Sequence, residues 1–415
     1  MPTAPHLAEL ELSYATSGRP EDFVAAAMRV FSIDFDEETW PSRGVFEPER
    51  SFGFRVDGRW VSTCTAYSRS LTVPGGATLP SAAVTFVTVA PSYRRRGLLN
   101  QMMRHQLDDT VARGEPVALL WASEAAIYGR YGYGTAAGSL AVSGATGDLV
   151  FRADVDLGSG SVGEVDLADW RAAVEPLHAR LLPERPGALT RSALWWDSAT
   201  SDAPIRRGGA SAFRFALHYA RSGAVDGYLA FRTRGAGSGV VSADLQVGVA
   251  ELDATNAASY ARLWRFVFDL DLVRTVRATL PVDDPLPYLL RDADALGSAR
   301  GESLFARLVD LPRALEARRY AVPVDLVLGV RDSVLPQNNG AFRLRGGPDG
   351  AEVSRVQDDP DVTLDVRDLA TLYLGGTPAT VLQRAGLVTE HTVGAVAQLS
   401  AAFAWNRLPF CLDYF

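Results

Sequence analysis

The sequence predicts a mixed α/β and α+β architecture: two successive domains of one plan, then an α+β module. Three observations carry this reading. Within the first 140 or so residues the hydrophobic pattern runs helix, hairpin, strand, loop–helix, strand. From Asp166 to about Pro281 the same order returns. From about Ser303 strands come first and helices follow, without the βαβ alternation of a parallel sheet. A chain of 415 residues is also too long for one core. The expected division is 1–150, 151–300 and 301–415.

Taken in order, residues 1 to about 40 read as mostly helical, with Phe23, Ala27 and Val30 on one face and an acidic surface turn from Asp34 to Glu38. Trp40-Pro41 ends that segment, because the residue before proline is driven out of the α region. Ser51 to Val73 alternates about Asp57-Gly58 as a β-hairpin. Val84 to Val89 is the next strand, with Val84, Phe86 and Thr88 on one side and Thr85, Val87 and Val89 on the other. A helix follows, with Leu99, Met103, Leu107 and Val111 as its stripe and Leu98 and Met102 widening it. Gly114 closes it. Pro116 to Ala122 is a buried strand, and Ser123 to Gly134 is a helical turn broken by alternating glycines. Gly144 to Gly163, rich in Gly, Ser and Asp, is the first boundary. It holds Gly158-Ser-Gly160-Ser-Val-Gly163, a formal dinucleotide fingerprint that fails on context, since no apolar strand leads into it.

The second half repeats the plan with helices at Leu167 to Leu181 and Thr190 to Asp197 and a hairpin across Phe213 to Arg232. A strand Leu245 to Val249, a helix Asn256 to Phe268 and a strand Leu272 to Leu280 complete it. The final part has strands Val324 to Val330, Gly340 to Arg345, Ala351 to Arg355 and Val362 to Val366. Its helices are Arg367 to Tyr373, Ala379 to Ala385 and Val393 to Trp405.

The stretch Pro91 to Leu99 places Arg94, Arg95, Arg96 and Gly97 between a strand and a helix start. Free amides at a helix N-terminus beside guanidinium groups make an anion site, and the arginines suit a phosphate. The same residues also fit a solvated basic turn. At the equivalent place in the second half stands Glu251-Leu-Asp253-Ala-Thr, with neither arginine nor glycine, and its negative charge competes with an anion. That half repeats the first in shape only.

Composition narrows the function classes. Hydrophobic content of 47% and charged content of 22% are ordinary for a globular protein. No apolar run reaches the ~20 residues of a membrane span, and no secretory leader is evident. Cys64 and Cys411 lie in apolar surroundings and read as core residues, which fits a reducing cytoplasm. All basic side chains are arginine, so Schiff-base and P-loop lysines are excluded. A net charge of −8 disfavours nucleic acid and favours a cationic partner. No metal site is expected.

Two motifs carry a family resemblance. Tyr93-Arg-Arg-Arg-Gly-Leu-Leu99, together with Ser123-Glu124-x-x-Ile127-Tyr128-Gly129-Arg130-x-Gly132-Tyr133-Gly134, resembles the GNAT superfamily of N-acetyltransferases. Within it, the chain is similar along its whole length to the Eis (enhanced intracellular survival) family of aminoglycoside acetyltransferases. The general GNAT pattern has a small residue where Leu99 stands, and the Eis form carries Leu. The resemblance implies tandem GNAT domains, the second without a CoA loop, and a C-terminal sterol-carrier-like domain. It implies acetyl-CoA as cosubstrate, held by Val87, Thr88, Val89, Arg94, Arg95, Arg96, Gly97, Leu98, Leu99, Ser123 and Glu124. It implies Tyr128 as the acid that protonates the departing thiolate and the terminal carboxylate of Phe415 as base, with His105 as the competing base. Trp40 and Phe86 would wall the substrate, and Asp34, Asp36, Glu37 and Asp413 would meet its positive charges. Position 414, acidic in the family pattern, is tyrosine here. The partner is then a small polycationic amine such as an aminoglycoside, and the assembly a homohexamer built as a trimer of dimers. Amines on proteins or peptides are the alternative acceptor. A lipid-binding protein with a vestigial acetyltransferase domain is the other class.

Overall fold

The computed structural model describes residues 10–37, 40, 43–204, 207–235 and 244–415. Backbone contacts divide the chain into two units. One contains the chain up to Ala137, Arg185–Ala199 and Ser303–Phe415; the other contains Gly138–Glu184 and Thr200–Glu302.

The first unit opens with β1 (Glu11–Tyr14) and α1 (Pro20–Val30). Residues 11–14, expected as helix, are strand, and the helix starts where Pro20 leads and Glu21 and Asp22 complement the macrodipole. Then come β2 (Ser51–Val56), β3 (Arg59–Trp60), β4 (Ser62–Thr72), β5 (Thr78–Val89), α2 (Leu98–Ala112), β6 (Val117–Trp121) and β7 (Gly134–Thr135). Asp57 and Gly58 both take positive φ, the geometry of a tight hairpin turn.

The second unit contributes β8 (Gly138–Ala145), β9 (Ser161–Val165) and α3 (Leu167–Leu181), after which α4 (Ala193–Ala199) returns to the first. It continues with β10 (Arg214–Tyr219), β11 (Val225–Gly235), β12 (Leu245–Ala254), α5 (Ala257–Phe268), β13 (Val273–Leu280), α6 (Leu286–Leu289) and β14 (Gly297–Glu302). These strands form one sheet in the order β14-β8-β13-β12-β11-β10-β9. The Gly/Ser-rich stretch read as a boundary from Gly144 therefore begins inside a paired strand.

The first unit resumes with β15 (Leu304–Leu308), α7 (Leu311–Ala317), β16 (Val324–Arg331), β17 (Gly340–Gly347), β18 (Gly350–Val356), β19 (Val362–Asp365), α8 (Val366–Tyr373), α9 (Ala379–Arg384), β20 (Val388–Glu390) and α10 (Ala395–Phe403). Its large sheet runs β1-β2-β4-β5-β6-β15-β7, so a strand from beyond residue 300 sits between β6 and β7. A five-stranded sheet, β18-β17-β16-β19-β20, completes the unit. One core joins the two sheets: Leu71, Leu119 and Ala306 lie in the same buried cluster as Leu328, Leu344, Leu369 and Phe403.

Two expectations are corrected in detail. The α2 stripe is Leu98, Met102, Met103, Gln106, Leu107 and Thr110, while Val111 is exposed, because the helix is rotated by about one position from the expected stripe. The alternation of β5 breaks at Phe86. Thr63 faces Thr88 and Thr65 faces Thr85, so Phe86 and Val87 both oppose Cys64, and Phe86 takes φ 49°. Past this bulge the parity flips: Val87 and Val89 join Val84 against the α2 core, while Phe86 turns to the α1 cluster.

The alternating glycines after Tyr128 have a packing cause. A Cβ on Gly134 would lie 2.1 Å from the Arg367 carbonyl oxygen, and one on Gly132, at φ 84°, would lie 2.7 Å from Arg307 Nε. Helix α8 and strand β15 thus press directly on this turn. Gly134→Ala is expected to destabilise the fold by about 1–3 kcal/mol, read as a lower denaturation midpoint. Gly147→Ala, where an added Cβ meets nothing within 4 Å, should stay within about 0.5 kcal/mol.

Candidate active site

The site is built where β5 leaves β6. The two strands pair in parallel from Ser81↔Val117 to Val84↔Leu120 and no further, while β5 stays paired with β4 as far as Val89. From Thr85 to Val89 the backbone therefore keeps one hydrogen-bonding edge without a strand neighbour among the described residues. An extended amide-containing ligand can pair with such an edge as an added strand would. Val87, Thr88 and Val89 lie on it, and Ser123 and Glu124, both exposed, follow the end of β6 across the gap.

Beyond Val89 the chain makes a short 3-10 turn, Pro91–Tyr93, and enters α2 through two left-handed residues, Arg95 at φ 63° and Gly97 at φ 79°. Gly97 is the N-cap and has no side chain to cap the helix, and the first turn of α2 contains no acidic residue. The amides at that terminus are thus open to an external acceptor. Arg94 and Arg95 are exposed beside them. Arg94 also donates from Nε to the Val89 carbonyl at 3.3 Å. Arg96 does something different from its neighbours. It folds back to donate to the Ser92 carbonyl at 3.2 Å, with its guanidinium 5.2 Å from the centre of the Tyr93 ring, so it braces the loop. Leu98 is buried and Leu99 half-buried, so their side chains belong to the core and only their amides face the terminus.

The second unit shows what removes such a site. Strand β12 carries on to Ala254, so Glu251 and Asp253, expected in a loop, are strand residues paired with β11. Only Thr255 and Asn256 separate β12 from α5, and the Asn256 side chain caps the helix by accepting from the Ser259 amide at 2.9 Å.

Tyr128 sits in the 3-10 turn Ala125–Tyr131, half-buried, its ring 6.1 Å from that of Tyr133. Burial pushes its hydroxyl well above the ordinary phenol value, and Cys64, Glu124, Tyr131 and Tyr414 add to the effect. The group stays protonated through the neutral range. A free phenol at about 10 already lies above a thiol at about 8.5, so donation to a thiolate is uphill, and burial widens the gap. Such a hydroxyl stabilises a developing thiolate by hydrogen bonding as charge builds.

The Tyr414 ring lies 5.4 Å from that of Trp121, at the end of β6. The tail is stitched down along its length. Arg185 donates to the Leu408 carbonyl at 2.8 Å and the Phe410 amide to the Pro186 carbonyl at 2.9 Å. Trp121, the last residue of β6, donates its indole N–H to the Asp413 carbonyl at 3.0 Å. Phe415 is 8% exposed and packs in the main core.

Asp413, expected to meet a substrate charge, is a structural anchor instead. One of its oxygens takes Arg69 at 2.7 Å and the other takes Arg191 at 2.7 Å, all three side chains being nearly inaccessible. Burial alone would raise this carboxyl, but attraction to Arg191 and Arg69 outweighs it and holds the pKa below the usual carboxylate range. Burial pulls the Arg69 guanidinium down while Asp413 pushes it up; since a guanidinium stays charged in proteins, the carboxylate is the member whose proton matters.

Trp40 and Phe86, expected as substrate walls, lie in one cluster, where Trp40 is 5% exposed and packs edge-on against Phe46 and Phe35. Half-buried Phe86 covers that cluster. Glu37 is tied to Arg19 at 2.7 Å, Asp34 faces solvent, and Glu38 lies outside the described residues. His105, the competing base, is half-buried, bonded to the Tyr14 hydroxyl at 2.6 Å and edge-on to Phe52. That engagement disfavours it as the base. Sequence reasoning missed Arg69, Arg191 and Trp121, and noted Tyr414 only as a departure from the family pattern. The available signal was Arg69, a charged residue within an otherwise apolar and Thr/Ser strand.

Asp413→Asn leaves two buried guanidiniums without their counter-ion and should cost about 3–5 kcal/mol, read by denaturation. The pH dependence has a definite sign. A carboxyl depressed in the folded state stabilises fully above its unfolded value of about 3.9, and the contribution fades as pH falls through the lower folded value. Acid unfolding of the Asp413→Asn variant should lack that component.

A family model described as an acetyltransferase (GNAT) domain matches residues 11–136, and another with that description matches residues 187–308. A sterol carrier protein domain matches residues 311–412. The chain is 39% identical over 384 residues to an uncharacterized N-acetyltransferase of Streptomyces avermitilis, covering 90% of this chain and 91% of that protein. It is 34% identical over 340 residues to N-acetyltransferase Eis of Mycobacterium tuberculosis, 80% of each. Eis1 from Mycobacterium abscessus matches in structure with a TM-score of 0.82 at 30% identity, over 98% of this chain and 100% of that one. The chain belongs to the Eis-like N-acetyltransferases, with tandem GNAT domains and a C-terminal sterol-carrier-like domain.

Proposed function

We propose that the chain transfers the acetyl group of acetyl-CoA directly to the amine of a small molecule, in the first unit alone. The observation that carries this is the uncapped, acid-free start of α2, flanked by exposed Arg94 and Arg95, at the end of a strand whose free edge leads to Tyr128. The loop would hold the pyrophosphate and the free edge of β5 the pantetheine amides. The second unit lacks such a loop and would bind no CoA.

In the reaction a C–N bond forms and the thioester C–S bond breaks. The amine gives up a proton to a base, and the sulfur takes up charge that the Tyr128 hydroxyl stabilises. The terminal carboxylate of Phe415 is the proposed base. An ordinary α-carboxyl near 3.5 is a weak base, so in this role it would need burial or a water relay. The polycationic acceptors implied by the family resemblance, aminoglycosides among them, form one arm of the test; hexameric assembly in the cytoplasm belongs to the same proposal.

Three variants test the assignment by release of free CoA thiol. Replacing Arg94 and Arg95 together by Ala should raise KM for acetyl-CoA about tenfold or more and largely spare kcat. Tyr128→Phe should lower kcat about 10²-fold with little change in KM, and an unchanged kcat removes Tyr128 from the mechanism. Deleting Phe415, or extending the chain beyond it, should abolish turnover; full activity in either form rules out the terminal base.

A further inference from the structure

We infer that the first unit carries a second small-molecule site, beside the turn Ala125–Tyr131, that takes a small phosphate ester bearing hydroxyl groups. The site is a cleft of about 330 Å³ within this unit. That turn, the residues that follow β16 and the start of α8 converge on it. None of the residues assigned above to acetyl-CoA lines it. Its volume is that of a small ligand site. Gly129, Gly132 and Gly386 contribute bare backbone to its wall, and a Cβ added at Gly386 would meet nothing within 4 Å.

Three arginines and three aspartates line the cleft, and what sorts them is exposure. Asp332 is turned inward. It takes Arg307 at 2.6 Å and the amides of Val334 and Leu335 at 3.0 Å, and both members of the ion pair are inaccessible. Asp368 is buried too, and Arg367 donates to it at 3.3 Å. Asp365, half-buried, gives one oxygen to capping α8, accepting from the Arg367 amide at 3.0 Å. Arg130 and Arg331, by contrast, are exposed. Arg130 is fixed by its Nε on the Ile127 carbonyl at 3.1 Å, and its outer nitrogens face no carboxylate among the described residues. Arg331 has no hydrogen-bond or ion-pair partner among the described residues and acts on Asp368 only through space. Two exposed guanidiniums on separate segments suit the several acceptor oxygens of one phosphate. Asp365 would repel a bare anion, but its remaining oxygen can accept from a hydroxyl, and the exposed Ser333 hydroxyl can bond to another. A hydroxylated phosphate ester satisfies both halves of the cleft, which an inorganic anion cannot do.

Isothermal titration calorimetry on the full chain tests this, with glucose 6-phosphate as the probe and inorganic phosphate and glucose as its separate halves. Glucose 6-phosphate is expected to bind about tenfold or more tightly than either half. Arg331→Ala and Arg130→Ala, both at exposed positions, should each weaken it about fivefold or more. Replacing Arg94 and Arg95 together by Ala should leave its Kd within about twofold, which separates the cleft from the start of α2. Absence of binding to the parent chain overturns the inference, as does a Kd unmoved by Arg331→Ala and Arg130→Ala. Loss of binding in the Arg94 and Arg95 double variant assigns the ester to the α2 loop and overturns the cleft. Inorganic phosphate binding as tightly as the ester overturns the requirement for hydroxyls. The inference stands apart from acetyl transfer, since free thiol release bears on that reading alone and the calorimetry on this one.

Discussion

The site depends on a single geometric constraint, the parting of two parallel strands. Strand β5 stays paired on one side through Val89 but loses β6 after Val84. Closing that gap would use the free edge for ordinary sheet pairing and leave no room for a ligand backbone. The bulge at Phe86 accompanies the parting. It places two residues opposite Cys64, and the extra twist of a bulged strand helps carry β5 away from its neighbour. The same residue reverses which side chains face α2, so core packing and the shape of the site are set at one position.

A second constraint works from the other end of the chain. The tail is held down by Asp413, which is neutralised inside the protein. Two arginines on separate segments converge on it, and the pairing is strong enough to overcome the burial of a carboxylate. Arg69 gains further support by stacking 3.9 Å above the ring of Trp195. A position that sequence alone offers as a recognition charge is thereby converted into a fastener.

Much of this was legible beforehand, for identifiable reasons. Strands and helices with clear period 2 or 3.6 were readable: the hairpin about Asp57-Gly58, the helices at Leu167 and Asn256, and the strands from Val324 onward. Strands made of Gly, Ser and Ala were not. β8 and β14 have little apolar pattern, and every residue of β14 is exposed, so nothing in their composition separates them from linker. The Phe86 bulge was hidden because an unbroken alternation fits the same letters. The loop arginines were readable as a group, but only coordinates separate exposed Arg94 and Arg95 from Arg96, which braces the turn. The role of Asp413 was beyond sequence reading, because its partners lie 344 and 222 residues away along the chain.

Strand β15 has a consequence for how the molecule is made. The large sheet is incomplete until Leu304–Leu308 slots beside β6, and β7 finds its strand partner in β15. All five residues of β15 are buried. During synthesis the large sheet therefore waits, with an apolar edge open, while the second unit emerges. Such non-local closure slows folding and leaves a sticky intermediate. Independent folding of the second unit in the meantime brings the two ends of its own segment, Gly138 and Glu302, into register as strand neighbours. The second unit thus acts as a tether that shortens the effective distance between Thr135 and Leu304 and lets the first sheet close.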